Sequence, residues 1–439
     1  MVNRCSTVLV LELTAGLLVL VISFVSTGAA IYFLIFSMLL SPQVALASLP
    51  QHNVTLRMDD FLIAIISLGW LARSAVYKKL GFFARTPLNR PILLYSTACV
   101  LATLFGMTFG KVRPLPGALF VVKYIEYFFV YFMVVNYIRN RRQVRNYFIA
   151  FAATAVIVSA YAIVLIPTGE RIDVAFGGLS GEPNTFGAYL VFVISILGGV
   201  LLTQGSLRAK VMALAPIVLA AIPFLYTLSR SSWMAMAAMY ASFMIFSRRI
   251  VPLSVLLVVV VLSMPMVMPG KVKQRYRETF MTRPLESPKQ VKIGRVYLDE
   301  SASERINSYK QILSDIRESP ILGYGVTGYS FIDGQYFRTL IETGVVGLAA
   351  FLYLLYGVFA TAFRAFRNSS DDLLKGLGLG MLAGTSALMA HAMSANTFII
   401  VRIMEPFWLL AGLVVAGLLL EEPARKKAAA NGADGRPQP

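Results

Sequence analysis

Charged side chains are scarce in this sequence. Asp, Glu, Lys and Arg together make up 14% of the 439 residues, and hydrophobic residues make up 57%. An ordinary soluble domain carries about 25% charged residues, so the composition excludes such a domain. Apolar runs such as 251–268 and 398–420 approach or exceed the length that crosses a hydrocarbon core of roughly 30 Å. The sequence therefore predicts a polytopic integral membrane protein.

Cysteine, histidine and acidic residues are also few. Cys5 and Cys99 are the only cysteines and imply no disulfide framework, and His52 and His391 are the only histidines. The 22 acidic residues against 40 basic ones leave a net charge of +18. In a soluble protein this charge would suggest a nucleic-acid ligand. Cytoplasmic loops of membrane proteins are rich in Lys and Arg, however, so no nucleic-acid partner is predicted.

The remaining sequence divides into apolar segments separated by charges and helix breakers, which predicts an all-α bundle of about 12–13 transmembrane helices. The first two segments are the hardest to assign, because either one can be re-entrant or interfacial instead of spanning. The segments lie at 7–25, 29–46, 61–76, 91–109, 117–138, 147–166, 186–203, 210–227, 232–247, 251–268, 343–362, 376–394 and 398–420.

Basic loops predict the orientation of the bundle. By alternation, the loops at 77–90, 139–145, 207–210, 248–249 and 363–375 fall on one side together with the tail, and this side is assigned to the cytoplasm. The tail, 421–439, is rich in Ala, Gly and Pro after Glu422 and is expected to be disordered. Lys123 and Glu126 stand one helical turn apart inside a segment, and we expect them to pair there.

The largest extramembrane piece, 269–342, falls on the outer side although it is strongly basic. The positive-inside rule predicts the opposite, so binding of an anionic ligand is the simplest explanation. Within this loop, Ile306, Tyr309, Ile312 and Ile316 recur mostly at spacings of three and four, which predicts an amphipathic helix over 302–318. Pro320 ends the helix, which is too short and too polar to span a membrane.

Four stretches of the sequence resemble the O-antigen ligase/polymerase family. The most specific is 304–352, where the family pattern consists of an Arg, an amphipathic helix, a Pro-x-x-Gly-x-Gly turn, a short polar turn and a Glu-x-Gly segment. It is matched in order by Arg305, Pro320, Gly323, Gly325, Tyr336, Glu342, Gly344 and Gly347. The other stretches are "TLSRSSWMAMAA" (227–238), "GEPNTFGAYL" (181–190) and "RIMEPFWLLAGL" (402–413), and the resemblance covers roughly 90–420.

The resemblance implies a GT-C-like glycosyltransferase of the bacterial inner membrane that uses no metal and no cofactor. Such an enzyme transfers a glycan from undecaprenyl pyrophosphate to an acceptor hydroxyl on the periplasmic face. The implied partners are this lipid-linked glycan and membrane lipid, with a flippase and a chain-length regulator as further candidates. The apolar segments and the loop charges divide the chain into four parts. These are 1–268 with about ten transmembrane helices, 269–342 as the periplasmic loop, 343–420 as the C-terminal transmembrane helices, and 421–439 as the cytoplasmic tail.

One departure favours a polymerase. Ligases of the family commonly carry a His just before an Asn-x-Tyr turn, whereas this chain reads "DGQYF", with Asp333 at the matching place. The sequence therefore predicts polymerisation of lipid-linked repeats. Transfer to lipid A core by an O-antigen ligase stays open as an alternative. A transporter or flippase of lipid-linked sugars is the alternative of another class, but it would more typically show internal repeats.

The predicted site combines cations for the leaving pyrophosphate with a base for the acceptor hydroxyl. Arg230 and Arg305 are the predicted catalytic cations, because bidentate guanidinium groups stabilise phosphate charge. A snorkelling Arg230 and a solvated Arg305 are the alternatives. Asp333 is the predicted base, or else a turn residue before Gly334. The predicted substrate-binding residues are Arg171, Glu182, Asn184, Arg275, Arg277, Tyr336, Arg338 and Glu342, although Glu182 and Asn184 can also shape their turn and Glu342 can be structural.

Overall fold

The computed structural model describes residues 16–40, 58–76, 84–168, 172, 182–267, 270, 290–293, 296–297 and 300–433. Within these residues the chain is almost entirely helical. The first ten helices are α1 (Gly16–Val25), α2 (Thr27–Leu40), α3 (Met58–Val76), α4 (Asn89–Thr108), α5 (Pro114–Tyr137), α6 (Arg141–Leu165), α7 (Pro183–Thr203), α8 (Leu207–Tyr226), α9 (Arg230–Ser247) and α10 (Ile250–Val267).

The C-terminal part holds four more helices in the described part of the chain. They are α11 (Glu300–Asp315), α12 (Gln335–Asn368), α13 (Asp372–His391) and α14 (Val401–Ala433). A 3₁₀ turn, Ile316–Glu318, extends α11 over the stretch for which the sequence predicts an amphipathic helix. Before α11, Lys292–Ile293 pairs antiparallel with Val296–Tyr297 in a minimal hairpin.

Apart from α11, the described helices coincide with apolar segments of the sequence. Among the described residues, eight helices are long and apolar enough to cross a membrane, namely α4, α5, α6, α7, α8, α12, α13 and α14. The prediction of an all-α polytopic membrane protein is confirmed. The tail differs from its prediction, since α14 continues to Ala433 instead of ending near Glu421. The run "ARKKAAA" (424–430) explains this difference, because Ala, Lys and Arg are strong helix formers.

Ion pairs join several elements at one end of the bundle. The Arg141 guanidinium lies 3.5 Å from Asp371 Oδ2 and 3.3 Å from Glu421 Oε1. The starts of α6 and α13 and the C-terminal half of α14 therefore meet there. The basic loops 139–145 and 363–375, which the sequence assigns to one side of the membrane, share this end.

The centre of the bundle is the contact between α7 and α13. Gly376, Gly380 and Gly384 recur every fourth residue along α13, and small residues at this spacing let helix backbones approach closely. A Cβ atom added at Gly380 would lie only 2.7 Å from the Cα of Ile196 on α7. Most residues of both helices are buried.

A break in α12 explains why the sequence needs a Pro-x-x-Gly-x-Gly turn. Gly344 interrupts the helix with φ 65° and ψ −171°, a conformation open to Gly. Backbone groups freed by a break inside a membrane protein need internal partners. The turn supplies them through Tyr324 N to Ile341 O (2.9 Å), Gly325 N to Glu342 O (2.8 Å) and Val345 N to Pro320 O (2.9 Å).

Replacing Gly380 by Val should separate α7 from α13. The added side chain has no space, and overpacking of this kind costs about 1–3 kcal/mol or more. We expect a lower thermal unfolding midpoint in detergent and reduced yield. Gly205→Val is the matched control, since a Cβ atom at Gly205 meets nothing within 4 Å. Equal midpoints for the two variants would contradict the packing described here.

Candidate active site

A polar cavity of about 510 Å³ opens at the end of the bundle opposite the Arg141 ion pairs. It lies where α7, α9 and α14 begin, beneath α11 and the segment that leads into α12. Its wall is mainly polar, and cations outnumber carboxylates on it. The lining residues are Lys123, Glu182, Pro183, Asn184, Thr185, Leu228, Arg230, Ser231, Ser301, Arg305, Phe331, Asp333, Arg338, Ala395, Asn396, Ile399, Ile400 and Val401.

Helix N-termini converge on this cavity. Among the described helices, α7, α9, α11 and α14 begin at or next to its wall. The N-terminus of a helix is equivalent to roughly half a positive charge and presents backbone N–H groups without intrahelical partners. The backbone and the basic side chains therefore favour the same ligand charge, and the cavity is suited to an anion.

Arg230 reaches the cavity through a tight turn between α8 and α9. Leu228 has a left-handed backbone conformation with φ 52°, and it lies in the short turn between the end of α8 at Tyr226 and the start of α9 at Arg230. Ser229 caps α9, with its side-chain oxygen accepting from Ser232 N at 3.2 Å, and it is buried. Arg230 is then the first residue of α9, so the turn "TLSR" places a guanidinium at the N-terminus of a helix on the cavity wall.

Arg305 and Asp333 meet across the cavity mouth. Arg305 Nη2 donates to Asp333 Oδ2 at 3.2 Å, and the two side chains are 20% and 42% exposed. The bridge uses one carboxylate oxygen and one guanidinium nitrogen. Arg305 Nε is buried, and it has no hydrogen-bond partner among the described residues. Both residues line the cavity, and the partly exposed Asp333 carboxylate stays accessible there.

The apolar stripe of α11 fixes this pair in place. Ile312 is 1% exposed and packs with Ile332 and Ile341. Ile332 directly precedes Asp333 in the sequence, and Ile341 lies on α12. Tyr309 stacks on Phe337, and its hydroxyl donates to the carbonyl of Met393 at 2.7 Å. Burial raises the pKa of Tyr309, while Arg305 opposes and Asp333 adds to this shift. The hydroxyl therefore stays protonated and keeps its role as donor.

Arg338 is held by a buried carboxylate behind the wall. Its Nε donates to Glu342 Oε1 at 3.1 Å, and the side chains are 11% and 6% exposed. Glu342 also accepts from the Tyr124 hydroxyl at 3.0 Å and from Thr327 N at 3.4 Å. Glu342 therefore fixes Arg338 from behind, and it does not itself line the cavity.

Lys123 is a cation of the wall that the sequence did not assign to the site. Its Nζ lies 3.2 Å from Asp60 Oδ2, so α3 supplies a counter-charge to α5. From the sequence, Glu126 was the predicted partner of Lys123, because it lies one helical turn away. Partners on other helices cannot be identified before the tertiary structure is known. The sequence did hold a signal for this assignment: Lys123 is a charged residue inside an apolar segment, and such residues usually face a cavity.

The turn between α13 and α14 closes the last side of the cavity. His391 is buried, with Nδ1 2.7 Å from Thr397 Oγ1, and it is not part of the wall. Asn396 Nδ2 donates to the carbonyl of Ile332 at 2.7 Å, and Ser394 Oγ donates to Ser231 Oγ at 2.7 Å. These bonds tie the turn both to the Asp333 segment and to the start of α9.

The cavity brings together residues that are far apart in the sequence. Of the predicted site residues, those on its wall are Glu182, Asn184, Arg230, Arg305, Asp333 and Arg338. Tyr336 and Glu342 lie behind the wall, and the Tyr336 hydroxyl donates to the carbonyl of Met389 at 2.9 Å. Arg171, Arg275 and Arg277 fall outside the described residues.

Part of the chain is similar to a known protein family. Residues 190–352 match the family model described as O-antigen ligase. This range is similar to the O-antigen ligase family and covers about 37% of the chain. The family resemblance drawn from the sequence is thereby confirmed, and the chain matches no curated protein.

The range that matches the family model forms part of the cavity. The matched range includes Arg230, Arg305, Asp333 and Arg338. The start of α7, Lys123 on α5 and the turn before α14 come from outside it.

The Arg338–Glu342 pair should show strong energetic coupling. Removing one partner leaves a buried charge, which costs about 3–5 kcal/mol, whereas removing both does not. We expect Arg338→Gln and Glu342→Gln each to lower the thermal midpoint in detergent. The double variant should lose less than the sum, with a coupling of about 1–3 kcal/mol.

The exposed Asp372–Lys375 pair provides the control cycle. Its atoms are 4.0 Å apart, and its side chains are 55% and 36% exposed. Coupling of about 0–1 kcal/mol is expected there, because solvent screens such pairs. Additive losses at Arg338 and Glu342 would contradict the buried pair.

Proposed function

We propose that this protein polymerises lipid-linked oligosaccharide repeats by glycosyl transfer. The donor is a glycan linked through pyrophosphate to undecaprenol, and the acceptor is a hydroxyl of a second lipid-linked repeat. The observation that carries the proposal is a single cavity that combines Arg230, Arg305 and Arg338 with the accessible carboxylate of Asp333. The match of residues 190–352 to the O-antigen ligase family model supports the general reaction type.

Each part of the cavity has a role in this chemistry. The bond between the donor sugar's anomeric carbon and the pyrophosphate oxygen breaks, and a bond from that carbon to the acceptor oxygen forms. Asp333 takes the proton from the acceptor hydroxyl. Arg230 and Arg305, together with the helix N-termini, stabilise the charge that develops on the departing undecaprenyl pyrophosphate. Enough cations line the wall for the reaction to proceed without a divalent ion.

We place the reaction at the outer face of the bacterial inner membrane. The basic loops 139–145 and 363–375 lie at the end opposite the cavity, as the positive-inside rule requires of the cytoplasmic end. A donor that is assembled in the cytoplasm then needs a flippase to reach the cavity. A chain-length regulator is the further partner that polymer synthesis implies.

A polymerase is favoured over a ligase by the residue before the turn into α12. Asp333 stands where ligases of the family commonly carry a His, and it faces the cavity. His391 lies behind the wall in its bond to Thr397, and His52 falls outside the described residues. Within the described part of the chain, the base available on the wall is therefore a carboxylate.

A two-acceptor assay tests the proposed reaction. Purified wild-type protein in excess EDTA should convert lipid-linked repeats into a ladder of longer lipid-linked glycans. The same protein should leave lipid A core unmodified. Transfer to lipid A core without a ladder would replace the polymerase with a ligase. Activity that requires Mg²⁺ or Mn²⁺ would overturn the metal-free chemistry.

Arg230→Ala and Arg305→Ala should each lower turnover by at least about a hundredfold, as expected when a group that stabilises developing charge is lost. Substitution by Lys should rescue poorly, because Lys lacks the planar fork of the guanidinium. Arg317→Ala is the matched control, since Arg317 is exposed on the same outer segment and does not line the cavity. Ladder synthesis should be followed together with membrane insertion. Near-normal ladders from either cavity variant would remove that residue from the site.

The substitution Asp333→Asn distinguishes two roles of Asp333, that of a catalytic base and that of a residue that only shapes the turn. Asn keeps the shape and turn preference of Asp but cannot take the proton, so turnover should fall by about 10²–10⁴. Donor binding, measured with undecaprenyl pyrophosphate, should change little. A nearly silent substitution would show that Asp333 only shapes the turn before Gly334.

A further inference from the structure

Phe331 is an exposed aromatic side chain at the rim of the cavity. It is 79% exposed, the highest value among the large hydrophobic residues that the structure describes. Most of the other exposed apolar side chains belong to the long helices of the bundle, where lipid covers them. Phe331 instead stands in the segment between α11 and α12, two residues before Asp333. Burying a Phe side chain is worth about 1.5–3 kcal/mol, so its exposure needs a reason.

The segment around Phe331 is firmly anchored. Ile332 is 4% exposed in the small core that it shares with Ile312 and Ile341. Its carbonyl also accepts the bond from Asn396 Nδ2 at 2.7 Å. Because its neighbour is fixed in this way, Phe331 is held at the rim instead of folding into the core.

Charged and polar groups surround the ring. The Arg338 guanidinium carbon lies 5.8 Å from the centre of the Phe331 ring, within the range of a cation–π contact. Asp333, Asn184 and Asn396 lie on the same cavity wall. An isoprenoid chain or a bilayer lipid packed on the ring would have to lie against the Arg338 guanidinium. A sugar is suited to both kinds of surface, since its C–H face packs on an aromatic ring and its hydroxyls bond to carboxylates and amides.

We propose that Phe331 is the stacking platform for the acceptor sugar, and that it presents the acceptor hydroxyl to Asp333. This inference rests on the proposed function and adds to it the residue that selects and orients the acceptor. Binding sites of this kind use one apolar surface for contact area and a few polar groups for orientation. The ring supplies that surface, and the Arg305–Asp333 pair supplies the nearest polar groups.

Binding of a lipid-free glycan provides the test. The probe is the oligosaccharide repeat released by mild acid from the surface polysaccharide of the source organism, without lipid or phosphate. Binding to the full-length protein in detergent is measured by saturation-transfer NMR and calorimetry for wild type, Phe331→Leu and Phe331→Tyr. Phe109→Leu is the matched control, because Phe109 is 65% exposed at the end of α4 and does not line the cavity.

We expect Phe331→Leu to raise the glycan Kd about tenfold, a change equal to about 1.4 kcal/mol. The KM for the acceptor should rise in parallel while kcat changes less. Phe331→Tyr and Phe109→Leu should bind like wild type. If Phe331 instead contacts lipid, Phe331→Leu should leave the glycan Kd unchanged, because Leu is as apolar as Phe.

Three results would overturn the inference: no glycan binding by wild type, equal binding by wild type and Phe331→Leu, or equal losses in Phe331→Leu and Phe331→Tyr. The binding assay requires no turnover, so its outcome is separate from that of the proposed function. Glycan binding that depends on Phe331 without any ladder would support the platform and contradict the polymerase. A ladder unaffected by Phe331→Leu would support the polymerase and contradict the platform.

Discussion

The ion pair between Arg305 and Asp333 sets the positions of two charged groups on which the cavity depends. Arg305 belongs to α11 and Asp333 to the segment that leads into α12, and their side chains meet at 3.2 Å. Both side chains are partly exposed, so the pair contributes little net stability, as is usual where water screens the charges. Its effect is positional, because it places a guanidinium and a carboxylate side by side above the starts of α7, α9 and α14.

The cavity wall concentrates positive charge, yet two of its cations, Arg338 and Lys123, are each paired with a carboxylate. Arg338 has Glu342 behind it and Lys123 has Asp60 beside it, each within about 3.2 Å. A buried charge without such a partner would be strongly destabilising. The counter-charges stand behind or beside the wall, so the cavity still presents more cations than carboxylates. This separation of anchoring carboxylates from presented cations is what suits the cavity to a phosphate-bearing ligand.

The helices were predictable because each depends on its own local composition. The Arg338–Glu342 pair was also within reach of the sequence, since residues four apart share a helix face. The Arg305–Asp333 and Lys123–Asp60 pairs were not, because they join elements that only the tertiary fold brings together. The exposure of Phe331 was equally hidden, as nothing in the sequence shows that Ile332 is the buried neighbour. The helical tail was missed because disorder was inferred from its Ala, Gly and Pro content, although Ala also favours helix.

The most direct test of the account is to determine the structure of the protein with undecaprenyl pyrophosphate bound, by cryo-electron microscopy in a lipid nanodisc containing EDTA. The account predicts that the pyrophosphate lies in the cavity, within hydrogen-bond reach of the Arg230 and Arg305 guanidinium groups, with its lipid chain leaving toward the bilayer. Asp333 would then remain open on the opposite side for an acceptor. Pyrophosphate bound outside the cavity, or within it but out of reach of both guanidinium groups, would contradict the account.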